Sequence, residues 1–295
     1  MIFMDGVGIG KRDYEYNPFY KLGFKTFTEL LGSIPSLELP TLTKNDIYVF
    51  PVDASMGIPE IPLSGTGQTS IFCGFNASKL IGKHFGPYPY STLVPLIKDL
   101  NIFKTLIQKK KKVQFVNAYP KAFFDYINSG RKRLSVTTLS CLMNGMKLNK
   151  ISDLHSGKAL SAEIDNSRLA KRMNYKLPII KPETAANRLL RIGAQNHFTL
   201  FEIFHTDHLG HGRYIEYLEE TIETLDRFLF HILTNLKKNM TLIVCSDHGN
   251  FEDLSTKMHT FNPALCITSG KNSEHLYKKI KSLYDIKPAI MEMYD

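Results

Sequence analysis

The sequence is sparing with cysteine. Cys73, Cys141, Cys245 and Cys266 lie far apart and form no Cys-x-x-Cys pair. That excludes a zinc knuckle and a disulfide ladder and leaves reduced thiols as the expectation. No stretch approaches the run of about 18 apolar residues that a spanning helix needs. The first apolar residues follow no basic segment and reach a carboxylate at Asp5, unlike a secretory signal. Internal repeats and low-complexity tracts are also missing. From these absences we expect a soluble, cytoplasmic protein without a membrane partner.

The 295 residues (33.6 kDa) suffice for a sizeable core without covalent staples. With 43% apolar and 22% charged residues, the composition is that of an ordinary globular chain. The net charge of +9 and pI near 9.2 are compatible with nucleic acid, an anionic surface or an anionic substrate. The lysine run at 109–112 follows an apolar helical pattern and reads as a solvated helix C-terminus, so no nucleic-acid partner is expected.

Short apolar runs at 2–4, 47–50, 113–116, 198–204 and 241–245 suit strands buried on both faces of a mainly parallel sheet. Between them lie helical patterns. The clearest, at about 214–236, repeats Ile215, Leu218, Ile222, Leu225, Leu229 and Ile232 at three- and four-residue steps. Residues 119–183 read differently, with a basic Arg131-Lys132-Arg133 cluster and a proline-flanked return at 178–182. We therefore expect a core of residues 1–118 plus 184–295 with an inserted cap subdomain at 119–183.

Two motifs fail on inspection. Gly6, Gly8 and Gly10 follow a strand, but Lys11 stands where a dinucleotide fingerprint needs its third glycine. A P-loop would need Gly at Asp5 and Ser or Thr at Arg12. His208-Leu-Gly-His211 lacks the Glu that activates water in zinc-protease helices.

What remains is a set of hard-metal ligands at strand ends. Asp5 closes the first strand, Asp207 and His211 follow the fourth run, and Asp247-His248 follows the fifth, with His259 further on. The carboxyl ends of strands in an open α/β sheet share one rim, so these residues can meet in a crevice. Three carboxylates and three imidazoles suit Zn²⁺ or Mn²⁺ better than Ca²⁺ and exceed what one catalytic ion needs, implying two divalent ions. The segment Ser64-Gly65-Thr66-Gly67-Gln68 opens a helical pattern, where free N–H groups and the dipole favour a phosphate.

Asp5-Gly6, the Ser64–Gly67 turn, Asp207-x-x-x-His211, Asp247-His248-Gly249-Asn250 and His259 together resemble the ordered motifs of the alkaline phosphatase superfamily. The similarity is closest to its cofactor-independent phosphoglycerate mutase and phosphopentomutase branch. The resemblance implies a three-layer α/β/α core and two metal ions. One would be held by Asp207, His211 and His259, the other by Asp5, Asp247, His248 and the nucleophile. The family's nucleophile stands three residues before a Gly, which selects Ser64 over Thr66. Two departures stand out: Gln68 replaces the usual His, and the insert is far shorter than a mutase cap.

The activity so implied is phosphoryl transfer from a small phosphate ester through a phosphoserine, as a phosphatase or a phosphomutase. A phosphodiesterase or a non-catalytic anion sensor is the alternative. Sulfatase chemistry is disfavoured because Ser64-Gly65-Thr66-Gly67-Gln68 offers neither the Pro nor the Arg of the sulfatase nucleophile motif. Lys83, His84, Arg131 and Arg133 are the candidate clamps for the substrate anion, joined by Lys79 and Lys132.

Overall fold

The computed structural model describes residues 1–131 and 133–294; Lys132, one of the expected clamps, lies outside the described residues. Among the described residues nine strands form, in chain order, at Ile2–Met4 (β1), Leu42–Lys44 (β2), Ile47–Val52 (β3), Val113–Phe115 (β4), Ala118–Tyr119 (β5), Asn149–Lys150 (β6), Phe198–Ile203 (β7), Thr241–Cys245 (β8) and Ala264–Gly270 (β9). Seven of them make one sheet in the order β2-β3-β9-β8-β1-β7-β4, and β5 pairs with β6 separately. In the large sheet, β8, β1, β7 and β4 run parallel. β9, β3 and β2 extend it in antiparallel fashion.

The strands of the parallel half are mainly apolar because both of their faces are covered, with Gln114, Thr199, Glu202 and Thr241 the polar exceptions. Alternate residues of β1 show how this works: Ile2 and Met4 enter one apolar cluster and Phe3 the other. The first cluster is closed by the helices Pro182–Ala194 and Leu218–Thr234, which contribute Leu189 and Phe228. The second is closed by Ser64–Cys73, Ile102–Gln108 and Ile286–Met291, where Phe72 meets Phe3 edge to face at 5.6 Å between ring centroids. Two helical layers around a sheet are the expected three-layer α/β/α architecture.

All five expected strands form. The sequence pattern did not anticipate β2 and β9 or the antiparallel pairing that joins β2, β3, β9 and β8. A continuous apolar run reports burial on both faces and carries no information about strand direction. The expected helix near 214–236 forms as Leu218–Thr234 after a short 3₁₀ turn at Ile215–Tyr217.

Residues 119–183 pack in two ways. The Val136–Met143 helix buries Val136 and Cys141 in the second main cluster. Leu154, Ala159, Leu169 and Leu177 gather with Ala118 in a separate small cluster.

Candidate metal centre

β7, β1 and β8 are adjacent and parallel, so their carboxyl ends lie side by side, about 5 Å apart strand to strand. Asp5 follows β1 directly, Asp207 lies in the helix His205–Gly210 that follows β7, and Asp247 comes two residues after β8. Topology thus brings together three carboxylates separated by up to 242 positions in the chain (247 − 5). Backbone contacts lock the junction: Asp5 N–H donates to the Ile203 carbonyl at 2.8 Å, and Gly6 N–H donates to Asp247 Oδ1 at 3.3 Å.

The imidazoles join them from loops. His248 Nε2 lies 3.3 Å from Asp5 Oδ1 and 3.6 Å from Asp247 Oδ1. His259 Nε2 lies 3.6 Å from Asp207 Oδ1 and 3.2 Å from His211 Nε2, which is itself 3.4 Å from Asp207 Oδ1. Ligand atoms lie within 4.8 Å of one another in Asp5–Asp247–His248 and in Asp207–His248–His259, and those of Asp207, His211 and His259 lie within 3.6 Å of one another. His248 therefore stands between the two sets, its ring stacked on His259 at 3.7 Å between centroids.

Each imidazole turns its other nitrogen to a backbone carbonyl. His259 Nδ1 faces Pro62 O at 2.8 Å, His211 Nδ1 faces Lys257 O at 2.7 Å, and His248 Nδ1 faces Gly249 O at 3.3 Å. A carbonyl only accepts, so Nδ1 carries a proton, and Nε2 is left to face the shared space, where it would give up any proton of its own on binding a metal, the arrangement that orients imidazole ligands on metals.

The electrostatics of the bare site are unbalanced. Burial and the neighbouring charge of Asp247 push the Asp5 carboxyl up to about 8, and burial also raises Asp247. Burial opposes charge on His248, yet Asp247, Asp5 and Asp207 together push it up to about 10. Burial likewise opposes charge on Asp207, but the hydrogen bond with His259 and the positive field of His248 and His211 hold its carboxyl well below the usual range. Asp247 Oδ2 is buried without a hydrogen-bond partner among the described residues. Buried carboxylates carry a large desolvation cost unless a cation offsets it. The donor set and its orphaned oxygen fit divalent ions of the Zn²⁺ or Mn²⁺ type.

Ser64 begins the helix Ser64–Cys73. It is 6% exposed, with Oγ 2.9 Å from His248 Nε2. The loop that brings Tyr88 to this helix crosses Gly65 so closely that a Cβ there would collide with the Tyr88 carbonyl and sit 2.7 Å from Phe85 O. Thr66, the fallback nucleophile, is turned inward and fully buried; its Oγ1 donates to Leu63 O at 3.0 Å.

The metal-facing residues open into a cleft of 720 Å³ lined on its far side by Tyr119, Phe123, Arg133, Leu134, Arg168 and Met173. Of the expected clamps, Arg133 reaches it. His84 does not: its ring is occupied by Thr66 Oγ1 (3.3 Å) and Ser55 O (3.0 Å), bracing the nucleophile helix from behind. Lys83 lies over the rings of Tyr90 and Phe85, and Arg131 over Tyr126, outside the cleft lining. Gln68 lines the cleft with its buried Oε1 unpartnered.

Several contributors escaped the sequence reading. Asn250 Nδ2 donates to Asp207 Oδ1 at 2.9 Å, and Gly210 leaves the room for it, since a Cβ there would overlap the Asn250 amide. Glu252 is 1% exposed and accepts from Gly8 N, Asn250 N, Thr260 Oγ1 and Asn262 Nδ2 at 2.5–2.9 Å, tying the loops of Asp5, His248 and His259 together. Glu202 on β7 accepts from Thr137 Oγ1 at 2.9 Å, and burial raises its carboxyl to about 8. For Glu252 a signal was present, because it directly extends the Asp247–Asn250 motif; for Glu202, inside an apolar strand, the charge itself was the only one.

A sheet of this order with a cluster of carboxylates and imidazoles that could hold metal at the carboxyl ends of its parallel strands is an architecture that suits an α/β metalloenzyme. The chain belongs to the Metalloenzyme superfamily, whose sequence profile matches residues 135–294. It is 28% identical over 172 residues to a phosphopentomutase of Helicobacter pylori (strain HPAG1), covering 57% of this chain and 36% of that protein. A second H. pylori phosphopentomutase (strain G27) is 28% identical over 149 residues, 50% of this chain and 30% of that protein. The chain therefore spans about a third of the length of these relatives. Its fold is similar to that of the alkaline phosphatase from the Antarctic bacterium TAB5, with a TM-score of 0.53 and 14% identity over 99% of this chain and 96% of that one.

Proposed function

We propose that the protein is a metal-dependent phosphoryl-transfer enzyme acting on a phosphate ester, with Ser64 as nucleophile. The observation that carries this reading is the convergence of three carboxylates and three imidazole Nε2 atoms around a serine hydroxyl at a helix N-terminus. Asp207, His211 and His259 would hold one divalent ion, Mn²⁺ or Zn²⁺, and Asp5, Asp247, His248 and Ser64 the other. When bound, such ions lower the pKa of a serine hydroxyl and offset charge on phosphoryl oxygens.

The chain's own groups supply the rest. The carbonyls of Pro62, Lys257 and Gly249 fix the imidazole tautomers, and Asn250 holds the Asp207 carboxylate. The N–H groups of Ser64 and Gly65, the first two of the Ser64–Cys73 helix, favour the phosphoryl charge. Arg133 and Arg168 on the opposite wall provide donors for an anion in the cleft. Ser64 Oγ forms a bond to phosphorus as the ester P–O bond breaks, giving a phosphoserine and the free alcohol. Attack by water then returns phosphate; attack by another hydroxyl of the same molecule gives an isomer. Residues 119–183 act as the cap that closes the cleft opposite the metal ligands.

The test is phosphoenzyme formation. Mn²⁺-loaded protein incubated with a ³²P-labelled ester should acquire acid-stable label on Ser64. Ser64→Ala should lose the label and the turnover while keeping about two ions per chain by elemental analysis, since three protein ligands remain for each. Normal turnover in Ser64→Ala would refute the nucleophile.

A further inference from the structure

Several cleft polar groups opposite the metal ligands are already engaged with one another. Ser135 Oγ lies 2.8 Å from Thr137 Oγ1 and 3.0 Å from Thr138 Oγ1, and Thr138 Oγ1 in turn meets the Tyr119 hydroxyl at 3.1 Å. Glu163 Oε1 accepts from Leu169 N–H at 3.1 Å. A sugar or glycerol moiety would need such groups for its own hydroxyls. Beside Arg133 and Arg168, the wall offers apolar faces: Phe123 stacked on Tyr119 at 4.1 Å between centroids, Leu134, Tyr88 and Met173. Tyr88 and Met173 are 39% and 38% exposed and so keep apolar surface open to a ligand entering the cleft. The contact of the Tyr88 backbone with Gly65 sets Tyr88 near Ser64.

Resting on the phosphate-ester reading above, we infer that the alcohol part of the substrate carries an aromatic ring, which this wall receives while the phosphate faces the metal ligands. Aromatic faces reward a planar ring through burial and offset or edge contacts, and Met173 supplies an adaptable edge. The cleft, at 720 Å³, also leaves room beyond a phosphate and a short polyol.

The inference is tested by binding, independently of turnover. Calorimetry on Mn²⁺-loaded protein compares 3-phenylpropylphosphonate with propylphosphonate, which share the same anionic head and linker. The phenyl compound should bind at least about tenfold more tightly. Phe123→Ala should reduce that preference to within about threefold without weakening propylphosphonate. If that variant does not fold, Tyr88→Ala at the exposed mouth should narrow the preference in the same way. Equal affinity for the two phosphonates, or tighter binding of ribose 5-phosphate, overturns the aromatic assignment and leaves phosphoryl transfer standing. No binding of either phosphonate to metal-loaded protein overturns both.

Discussion

Glu252→Gln probes how the metal loops are held without touching a metal ligand. The carboxylate is buried, and each of its oxygens serves two donors: Oε2 takes Gly8 N (2.7 Å) and Asn250 N (2.8 Å), Oε1 takes Thr260 Oγ1 (2.5 Å) and Asn262 Nδ2 (2.9 Å). Glutamine keeps the volume but turns one oxygen into a donor. The cheaper orientation places its NH₂ toward Thr260, whose hydroxyl can rotate to accept, and leaves Asn262 facing another donor. One charge-assisted contact is then lost, at about 1.5–3 kcal/mol, and two weaken to neutral bonds at about 1 kcal/mol each. The expected cost is about 3–5 kcal/mol in urea unfolding of metal-free protein. Because Gly8 follows Asp5 and Thr260 follows His259, the loss should also weaken Mn²⁺ binding by about 10–100-fold in calorimetric titration. A stability change below about 1 kcal/mol together with unaltered Mn²⁺ affinity would show that Glu252 does not organise the centre.

Gly65→Ala should destabilise the protein by about 2–4 kcal/mol and disrupt the cleft beside Ser64, because its methyl meets backbone carbonyls of Tyr88 and Phe85 that cannot rotate aside; a midpoint unchanged in thermal melts would refute the close approach. Asp247→Asn should lower the metal content by at least one ion per chain, measured by elemental analysis after dialysis, and a stoichiometry equal to the unaltered protein counts against its role. The carboxyl of Glu202, raised to about 8 by burial, binds a proton in the folded chain over a range where an unfolded glutamate has lost it. The folded state binds more protons there, so its contribution to stability falls as pH rises from the usual glutamate value toward 8. Glu202→Gln should flatten that decline in metal-free protein, by at most about 5 kcal/mol across the window; parallel stability curves for the two proteins exclude it.

Much of this architecture was legible in the linear chain. Apolar runs such as 241–245 can only be buried strands, because so many consecutive apolar residues cannot face water, and the three- and four-residue spacing from Ile215 to Ile232 can only stripe a helix. The candidate ligands drew notice by residue type and by their joint position after strands whose carboxyl ends share one rim. Strand direction was not: β3 and β9 run antiparallel through pairings between residues about 220 positions apart, which local pattern does not encode. Nor did type and spacing reveal orientation. Thr66 and Ser64 stand two residues apart on one helix turn, yet one hydroxyl turns toward Leu63 O and the other toward His248. His84, Lys83 and Arg131 bear the same chemistry as Arg133 but are spent on the nucleophile helix and on aromatic rings. Sequence determined which groups the protein possesses and which segments must be buried, because those follow from hydrophobicity and local geometry. Only the tertiary structure decided which groups share a space, because that depends on the order of strands in the sheet.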